Sequence, residues 1–355
     1  MKILEIGPSE TRARGGMSEV IRSIRESEAL AEEFEIDSFP SYIDGNLPVR
    51  LLYSLYGYLR FMICCGKYDL FHIHTAERGS TFRKSLYLRT VKRAGKKAVI
   101  HIHGAEYLTF YDGLSGRKKK IADDFFRRAD LVLALSEGWK RELERRFAMK
   151  ACETLYNGVD PAKLGPAVSD PMEHRNAFLM LGRLGERKGT YDLIAAAELA
   201  VRQNPRLKLC LAGDGEVEPV RALVKGKGLK ENIAVPGWID AAEKLRRLRE
   251  VATLVLPSYH EGMPMAILEG MAAGKAIIST AVGAIPEVVG EENGILTEPG
   301  DVPALAEALL RCSGDAESLT RFSANNRKRA EEVFGIRRNH EALAEYYRQL
   351  LRRPE

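Results

Sequence analysis

The sequence predicts an α/β protein made of two doubly wound parallel-sheet domains. Two observations carry this expectation. Short apolar runs alternate with helical patterns in both halves of the chain, and strand–helix alternation implies parallel strands covered on both faces. The two series are separated at Asn157–Asn176, a stretch holding Gly158, Gly165, Pro161, Pro166 and Pro171 that reads as a linker. A chain of 355 residues fits two domains of ordinary size.

In the first series, strands are expected at Lys2–Gly7, Glu35–Phe39, Leu70–His74, Ala98–His103 and Leu131–Leu135. Helices are expected at Gly16–Leu30, Val49–Cys64, Phe82–Ala94 and Lys118–Arg128. The second series places strands at Ala177–Leu181, Lys208–Ala212, Ile233–Val235, Thr253–Leu256 and Ala276–Ser279. Its helices are Thr190–Gln203, Val217–Lys225, Glu243–Arg249, Met265–Ala273 and Val302–Cys312, and Arg338–Arg352 forms a last charged amphipathic helix. The expected domains are 1–165 and 166–336, followed by a last helical segment, 337–355. Ligands of open α/β sheets bind beyond the carboxyl ends of the strands, so the chemistry belongs on the loops that follow them.

Composition narrows the class. With 45% hydrophobic and 29% charged residues, the chain can bury a core without covalent staples. Five cysteines with no C-x-x-C pair argue against a disulfide framework and give no zinc spacing. The apolar start of the chain is too short for a signal peptide and reads as a first buried strand. Leu51–Gly66, interrupted by Arg60, falls short of a bilayer span and reads as a buried helix rather than an interfacial one. A cytoplasmic protein is expected, with peripheral contact at the inner face of the cell membrane as an option.

Residues 1–165 carry 28 basic against 22 acidic residues, so the positive charge is local to the first half. Arg78–Lys97 holds eight basic residues and no acidic one, and Arg117–Lys120 adds four more. Such runs attract anionic lipid head groups or polyphosphates, or are simply solvated helix faces.

Two loops carry the strongest signals. Gly182-Arg183-Leu184-Gly185-Glu186-Arg187-Lys188-Gly189 follows a strand and opens a helix. Small residues let backbone N–H groups approach an anion, the helix end adds a favourable dipole, and Arg183 and Lys188 supply two cations suited to a diphosphate. The spacing is not that of a P-loop. The second loop, Pro257-Ser258-Tyr259-His260-Glu261-Gly262-Met263-Pro264, leads into a helix containing Glu269. Pro264 suits a first helical turn, and two acceptor-only carboxylates match the vicinal hydroxyls of a sugar or ribose. Asp214, in Ala212-Gly213-Asp214-Gly215, is explained as well by a turn that needs glycine, and stays outside the candidate site.

His72, His74, His101 and His103 alternate along two strands, so each pair shares a face. No carboxylate or cysteine completes them at ligand spacing, so packing and ligand contact are expected and a metal site is not. No D-x-D triplet occurs, which argues against a metal-bridged diphosphate.

Taken in order, these pieces resemble a retaining GT-B glycosyltransferase of glycosyltransferase family 4. The matching segments are Arg14-Gly15-Gly16, His103-Gly104, Asn157-Gly158-Val159-Asp160, Gly182-Arg183-Leu184 with Lys188-Gly189, and Ala212-Gly213-Asp214-Gly215. Pro236-Gly237-Trp238, the Glu261-to-Glu269 pair, Gly274–Ile278 and Gly283–Glu287 follow. The resemblance implies that Arg183 and Lys188 bind the donor diphosphate and stabilise the leaving group. It implies that Glu269 binds the ribose and that Glu261 bonds the donor sugar beside the Gly262-Met263-Pro264 backbone. Gly15 and Gly16 match the glycine loop near the phosphates and acceptor, and His103 the histidine that touches the transferred sugar. The nucleobase would lie near Pro236–Ile239.

The implied reaction moves a sugar from a nucleotide diphosphate sugar, UDP rather than GDP, to an acceptor hydroxyl with retained configuration and without metal or cofactor. A glycan or polyprenyl-linked saccharide of bacterial cell-surface polysaccharide synthesis is the implied acceptor. Arg78–Lys97 would face an anionic membrane, and no nucleic acid is expected. A GT-B nucleotide-sugar epimerase and a non-catalytic nucleotide-sugar binding protein are the alternatives. A dinucleotide dehydrogenase is disfavoured because no G-x-G-x-x-G follows the first strand.

Overall fold

A computed structural model describes residues 1–13, 16–165 and 171–352. The chain divides into two compact units, Met1–Gly158 with Ile336–Glu355, and Val159–Gly335. The first unit therefore ends before residue 165, at Gly158, and regains the chain at Ile336.

The first unit runs β1 (Lys2–Pro8), α1 (Gly16–Arg25), α2 (Glu28–Ala31), β2 (Glu35–Tyr42), α3 (Leu47–Cys64), β3 (Leu70–Thr75), α4 (Gly79–Arg93) and β4 (Lys97–Ile102). It continues with α5 (Tyr107–Asp112), α6 (Gly116–Arg128), β5 (Leu131–Ala134), α7 (Glu137–Arg146) and β6 (Cys152–Thr154). The second unit follows with β7 (Ala177–Leu181), α8 (Thr190–Gln203), β8 (Lys208–Ala212), α9 (Val217–Gly226), β9 (Ile233–Gly237), α10 (Ala241–Arg249) and β10 (Thr253–Leu256). Then come α11 (Met265–Ala272), β11 (Ala276–Thr280), α12 (Ile285–Val288), β12 (Gly294–Thr297), α13 (Val302–Gly314) and α14 (Ala316–Glu332). The last helix, α15 (Ile336–Leu351), belongs to the first unit.

Both sheets are six-stranded and their strand pairs parallel, in the orders β2-β1-β3-β4-β5-β6 and β12-β11-β10-β7-β8-β9. Parallel strands flanked by helices bury both faces, and β3, β5, β10 and β11 are buried along their whole length. Strand order reverses between β1 and β3 in the first sheet and between β7 and β10 in the second. Those two points open crevices at the strand ends, and the loops after β7 and β10 are the two singled out by sequence. On one face of the first sheet α15 contributes Leu343, Ala344 and Tyr347 to a core with Ile3, Leu70 and Val99.

Three expectations are corrected. The helix over Gly16–Leu30 is broken, because the Ser27 side chain accepts the Leu30 amide at 3.3 Å and caps a new turn. Leu51–Gly66 is not a buried helix. In α3 only Gly57 and Phe61 are buried, because one face packs on Tyr87 and Phe71 while the opposite apolar face lies in solvent. Within the proline-bearing linker, 161–164 and 171–174 form short 3-10 turns.

The loops after β7 and β8 touch through glycine. A Cβ on Gly213, whose φ is +158°, would stand 1.7 Å from the Gly182 carbonyl oxygen. Gly213→Ala is therefore expected to cost about 2 kcal/mol or more in urea unfolding. A loss within about 0.5 kcal/mol, the range of an ordinary surface change, would contradict this contact.

Candidate functional site

In the second unit the site is built from the turns that leave β7 and β10. The Leu184 amide donates to Asp214 O at 2.7 Å and the Glu216 amide to Leu184 O at 3.0 Å, tying the first turn to the loop after β8. Thr190 Oγ1 accepts the Gly185 amide at 2.9 Å, which draws the turn onto the start of α8. At Gly189, φ is +66° and a Cβ would lie 1.9 Å from Pro257 O. The two loops are thus in backbone contact, and the Tyr259 amide donates to Arg187 O at 2.9 Å.

This contact brings Lys188 to Glu261. The ammonium donates directly to Glu261 Oε1, and the Ser258 hydroxyl donates to the same oxygen at 2.7 Å. Both side chains are nearly enclosed, 13% and 6% exposed. Arg183 differs: its side chain is 71% exposed and lies 3.7 Å from Asp214 Oδ2. An exposed pair at that distance holds little energy, so the guanidinium can swing to another anion. The two expected cations share one turn, but Lys188 is enclosed against its carboxylate whereas Arg183 pairs loosely with Asp214 in solvent. Asp214, set aside on sequence grounds, is a neighbour of the site.

Gly262 and Met263 are buried, and the Gly262 carbonyl accepts the Ala284 amide at 2.9 Å, fixing the backbone before Pro264. Pro264 takes the N-cap position of α11 with extended backbone. One face of α11 packs inward through Ile267, Leu268 and Met271, while Glu269 stays partly open and pairs with Lys244 of α10. Lys244 was invisible to motif reasoning because it lies among ordinary charged residues of a surface helix. The Gly213 amide donates to Gly237 O at 2.9 Å, so the Pro236–Ile239 segment adjoins the same group of loops.

In the first unit, His103 lies just past β4, its amide bonded to Thr75 O at 2.8 Å. Its Nε2 is 2.9 Å from His74 Nδ1, and His74 Nε2 is 3.2 Å from Glu5 Oε2. His72 Nδ1 meets the Tyr347 hydroxyl at 2.6 Å and Glu5 Oε1 at 3.2 Å, and His72 Nε2 meets His101 Nδ1 at 3.3 Å. A carboxylate does complete the histidine set. Glu5 comes from β1, whose register sets it opposite His72. It was missed because nothing in the spacing of residues 5, 72 and 101 shows that three strands are adjacent. Donor atoms of His72, His74 and His101 lie within 4.8 Å of one another, close enough to hold a cation. Most of these nitrogens bond each other, Tyr347 or Glu5, and His101 Nε2 is buried without a partner.

The network fixes a tautomer. A carboxylate accepts only, so His74 donates to Glu5 through Nε2–H. Neutral His74 then offers its Nδ1 as acceptor, and His103 must donate through Nε2–H. That leaves the His103 Nδ1 lone pair as an acceptor. Burial, then the neighbouring His72, pushes the His103 pKa down to about 3, against an opposing pull from Glu5. Burial first, and neighbouring rings second, also hold His74 and His101 well below the usual histidine value.

Gly16 opens α1 and is exposed, whereas Gly15 lies outside the described residues. The basic run Arg78–Lys97 is not a uniform cationic face. Lys84 is buried, donating to Ile6 O at 2.8 Å and Ser41 Oγ at 2.5 Å. Arg89, Lys92 and Lys96 pair with Asp124, Asp130 and Asp69, acids that come from outside the run.

Two family models match the chain, "Glycosyltransferase Family 4" over residues 12–163 and "Glycosyl transferases group 1" over residues 166–329. The chain belongs to this glycosyltransferase family, and its fold is GT-B. It is 28% identical over 295 residues to the amylovoran biosynthesis glycosyltransferase AmsK of Erwinia amylovora, covering 79% of this chain and 70% of the relative. It is 27% identical over 317 residues to the Escherichia coli UDP-Gal:alpha-D-GlcNAc-diphosphoundecaprenol alpha-1,3-galactosyltransferase, covering 84% and 79%. Among solved structures, sucrose-phosphate synthase from Thermosynechococcus elongatus matches with TM-score 0.79 at 21% identity, over 98% of each chain. Anabaena HepE in complex with UDP and glucose matches with TM-score 0.79 at 19% identity, over 98% of this chain and all of that one.

The histidine network is testable by nitrogen NMR. His103 is expected to stay neutral as pH falls from 6.5 toward 3, carrying its proton on Nε2. A His103 ring that titrates near 6.5, or that carries its proton on Nδ1, would break this account.

Proposed function

We propose that this glycosyltransferase moves a sugar from a UDP-sugar to a hydroxyl of a lipid-linked saccharide, with retained anomeric configuration and without a metal ion. The reading places the enzyme in bacterial cell-surface polysaccharide synthesis, and its AmsK relative is named for amylovoran biosynthesis. One observation carries it. The β7 and β10 turns meet at the strand-order reversal, with Lys188 seated on Glu261 and Arg183 beside them in solvent.

In this scheme the donor diphosphate lies along the Gly182–Gly189 turn, between Lys188 and Arg183. As the bond from the anomeric carbon to the β-phosphate oxygen breaks, negative charge grows on that phosphate, and cations already in place lower the barrier. No D-x-D carboxylates are available to hold a bridging metal, so the side chains supply the positive charge. The acceptor oxygen bonds to the anomeric carbon on the face the phosphate leaves. A phosphate oxygen takes the acceptor proton, which balances the step as UDP departs.

Glu269 accepts the ribose hydroxyls, exchanging the Lys244 ammonium for them or sharing it with them. Glu261 and the Gly262-Met263-Pro264 backbone hold the donor sugar. In the first unit, His103 presents Nδ1 as an acceptor suited to a sugar hydroxyl. The UDP-containing neighbour and the UDP-Gal-dependent relative favour UDP over GDP.

Lys188→Ala and Arg183→Ala should each slow turnover at least ~100-fold in a donor-consumption assay, the usual effect of losing one charge stabiliser. Folded variants with near-wild-type rates, or wild-type enzyme silenced by EDTA, would refute the assignment.

A further inference from the structure

Nine of the fifteen exposed large apolar side chains among the described residues sit on one helix, α3. Asn46 Oδ1 accepts the Val49 amide at 3.2 Å and starts this helix, with Pro48 in its first turn. Gly57 and Phe61 turn inward: the Phe61 ring lies 4.8 Å from that of Tyr87, tilted by 55°, and Tyr58 Oη meets Thr90 Oγ1 at 2.8 Å. Leu52, Leu55, Leu59, Met62 and Ile63 recur at three- and four-residue steps on the outer side, with Ile63 85% exposed. A contiguous apolar stripe of this kind on a folded protein marks an interaction surface.

Charge says what covers it. No acidic residue occurs between Asp44 and Asp69, while Arg50, Arg60 and Lys67 are exposed in the same stretch. Leu86 of the adjoining α4 is exposed, and α4 too carries no acid. A second copy of this chain would bring like charges together across a shared α3 face. An anionic bilayer offers apolar depth for the leucines and negative head groups for the arginines.

The same surface leads into a pocket of about 320 Å³ in the first unit, at the strand-order reversal between β1 and β3. Arg50 of α3 and Arg83 of α4 both line it, their guanidiniums 5.1 and 5.2 Å from the ring centre of Tyr42. Neither has a carboxylate partner among the described residues, and Arg83 Nε is buried without a hydrogen-bond acceptor. Glu77, the carboxylate of this pocket, has its Oε2 turned inward against Gly104. Unpaired guanidiniums in a concave site suit a phosphate.

We propose that α3 docks on the surface of an anionic bilayer and so holds the Arg50–Arg83 pocket at the phosphate of a membrane-borne lipid-linked acceptor. The docking stands on α3 alone, and the phosphate assignment rests on the acceptor reading above. Arg50, shared by helix and pocket, joins the two.

The test is sedimentation of the full chain with vesicles of phosphatidylcholine alone, or mixed with phosphatidylglycerol. Binding to the mixed vesicles should be at least ~10-fold tighter, and hydrogen exchange should slow in α3 when they are added. A Leu52→Glu, Leu55→Glu, Ile63→Glu variant should lose that binding by ~10-fold or more. Doping the vesicles with a polyprenyl diphosphate should tighten wild-type binding further, and Arg83→Gln should remove this increment. Equal binding to both lipids, unprotected α3, or an α3-mediated dimer in light scattering overturns the docking. A response to phosphatidylglycerol but none to polyprenyl diphosphate overturns the phosphate assignment. Titration of wild-type protein with UDP tests the donor site separately, so either reading can fail without the other.

Discussion

The enclosed ion pair between Lys188 and Glu261 ties the second unit's site together. It bridges two turns that leave neighbouring strands, and the Ser258 hydroxyl supports the carboxylate. Pairs with so little solvent pay a desolvation cost that a well-packed apolar contact would avoid, so they are a poor source of stability alone. Here the pair fixes an ammonium beside the Gly182–Gly189 turn, where the proposed donor phosphate would compete for it. Arg183, exposed and weakly tethered to Asp214, can join the same anion at small cost. One enclosed and one solvent-exposed cation on a single turn can both preorganise a site and adapt to a charged ligand.

The first unit solves a different problem. Four histidines in a parallel sheet would be costly if charged, and burial keeps at least three of them neutral. Glu5 and Tyr347 then set which nitrogen of each ring donates. The orientation of His103, at the edge of the network, is thus set through His74 by Glu5 of β1, while Tyr347 of the last helix bonds His72 and Glu5. This gives α15 a role in tuning a ring as well as closing a core.

Much of the architecture was legible because parallel strands buried on both faces are short apolar runs, and those at Leu70, Thr253 and Ala276 stand out. The loops after β7 and β10 were legible because glycine, cations and carboxylates cluster there in sequence. What stayed hidden depends on distant contacts. Strands β6 and β12 are only three and four residues long, and α14 looks polar because it inserts Ser318, Ser323 and Asn326 as well as Leu319 and Phe322. Helix α3 was misread because hydropathy reports how apolar a segment is, not which side of it meets protein. The partners of the basic run were hidden as well, since the aspartates paired with Arg89, Lys92 and Lys96 lie elsewhere in the chain. Glu5, Lys244 and Asp214 gain meaning only once the strands are ordered.

A structure of the protein with UDP bound is the most direct measurement of the central claim. The account requires the β-phosphate to lie within hydrogen-bonding distance of both Lys188 Nζ and the Arg183 guanidinium, over the Gly182–Gly189 turn. A diphosphate held by other side chains, or through a metal ion anchored elsewhere, would contradict it.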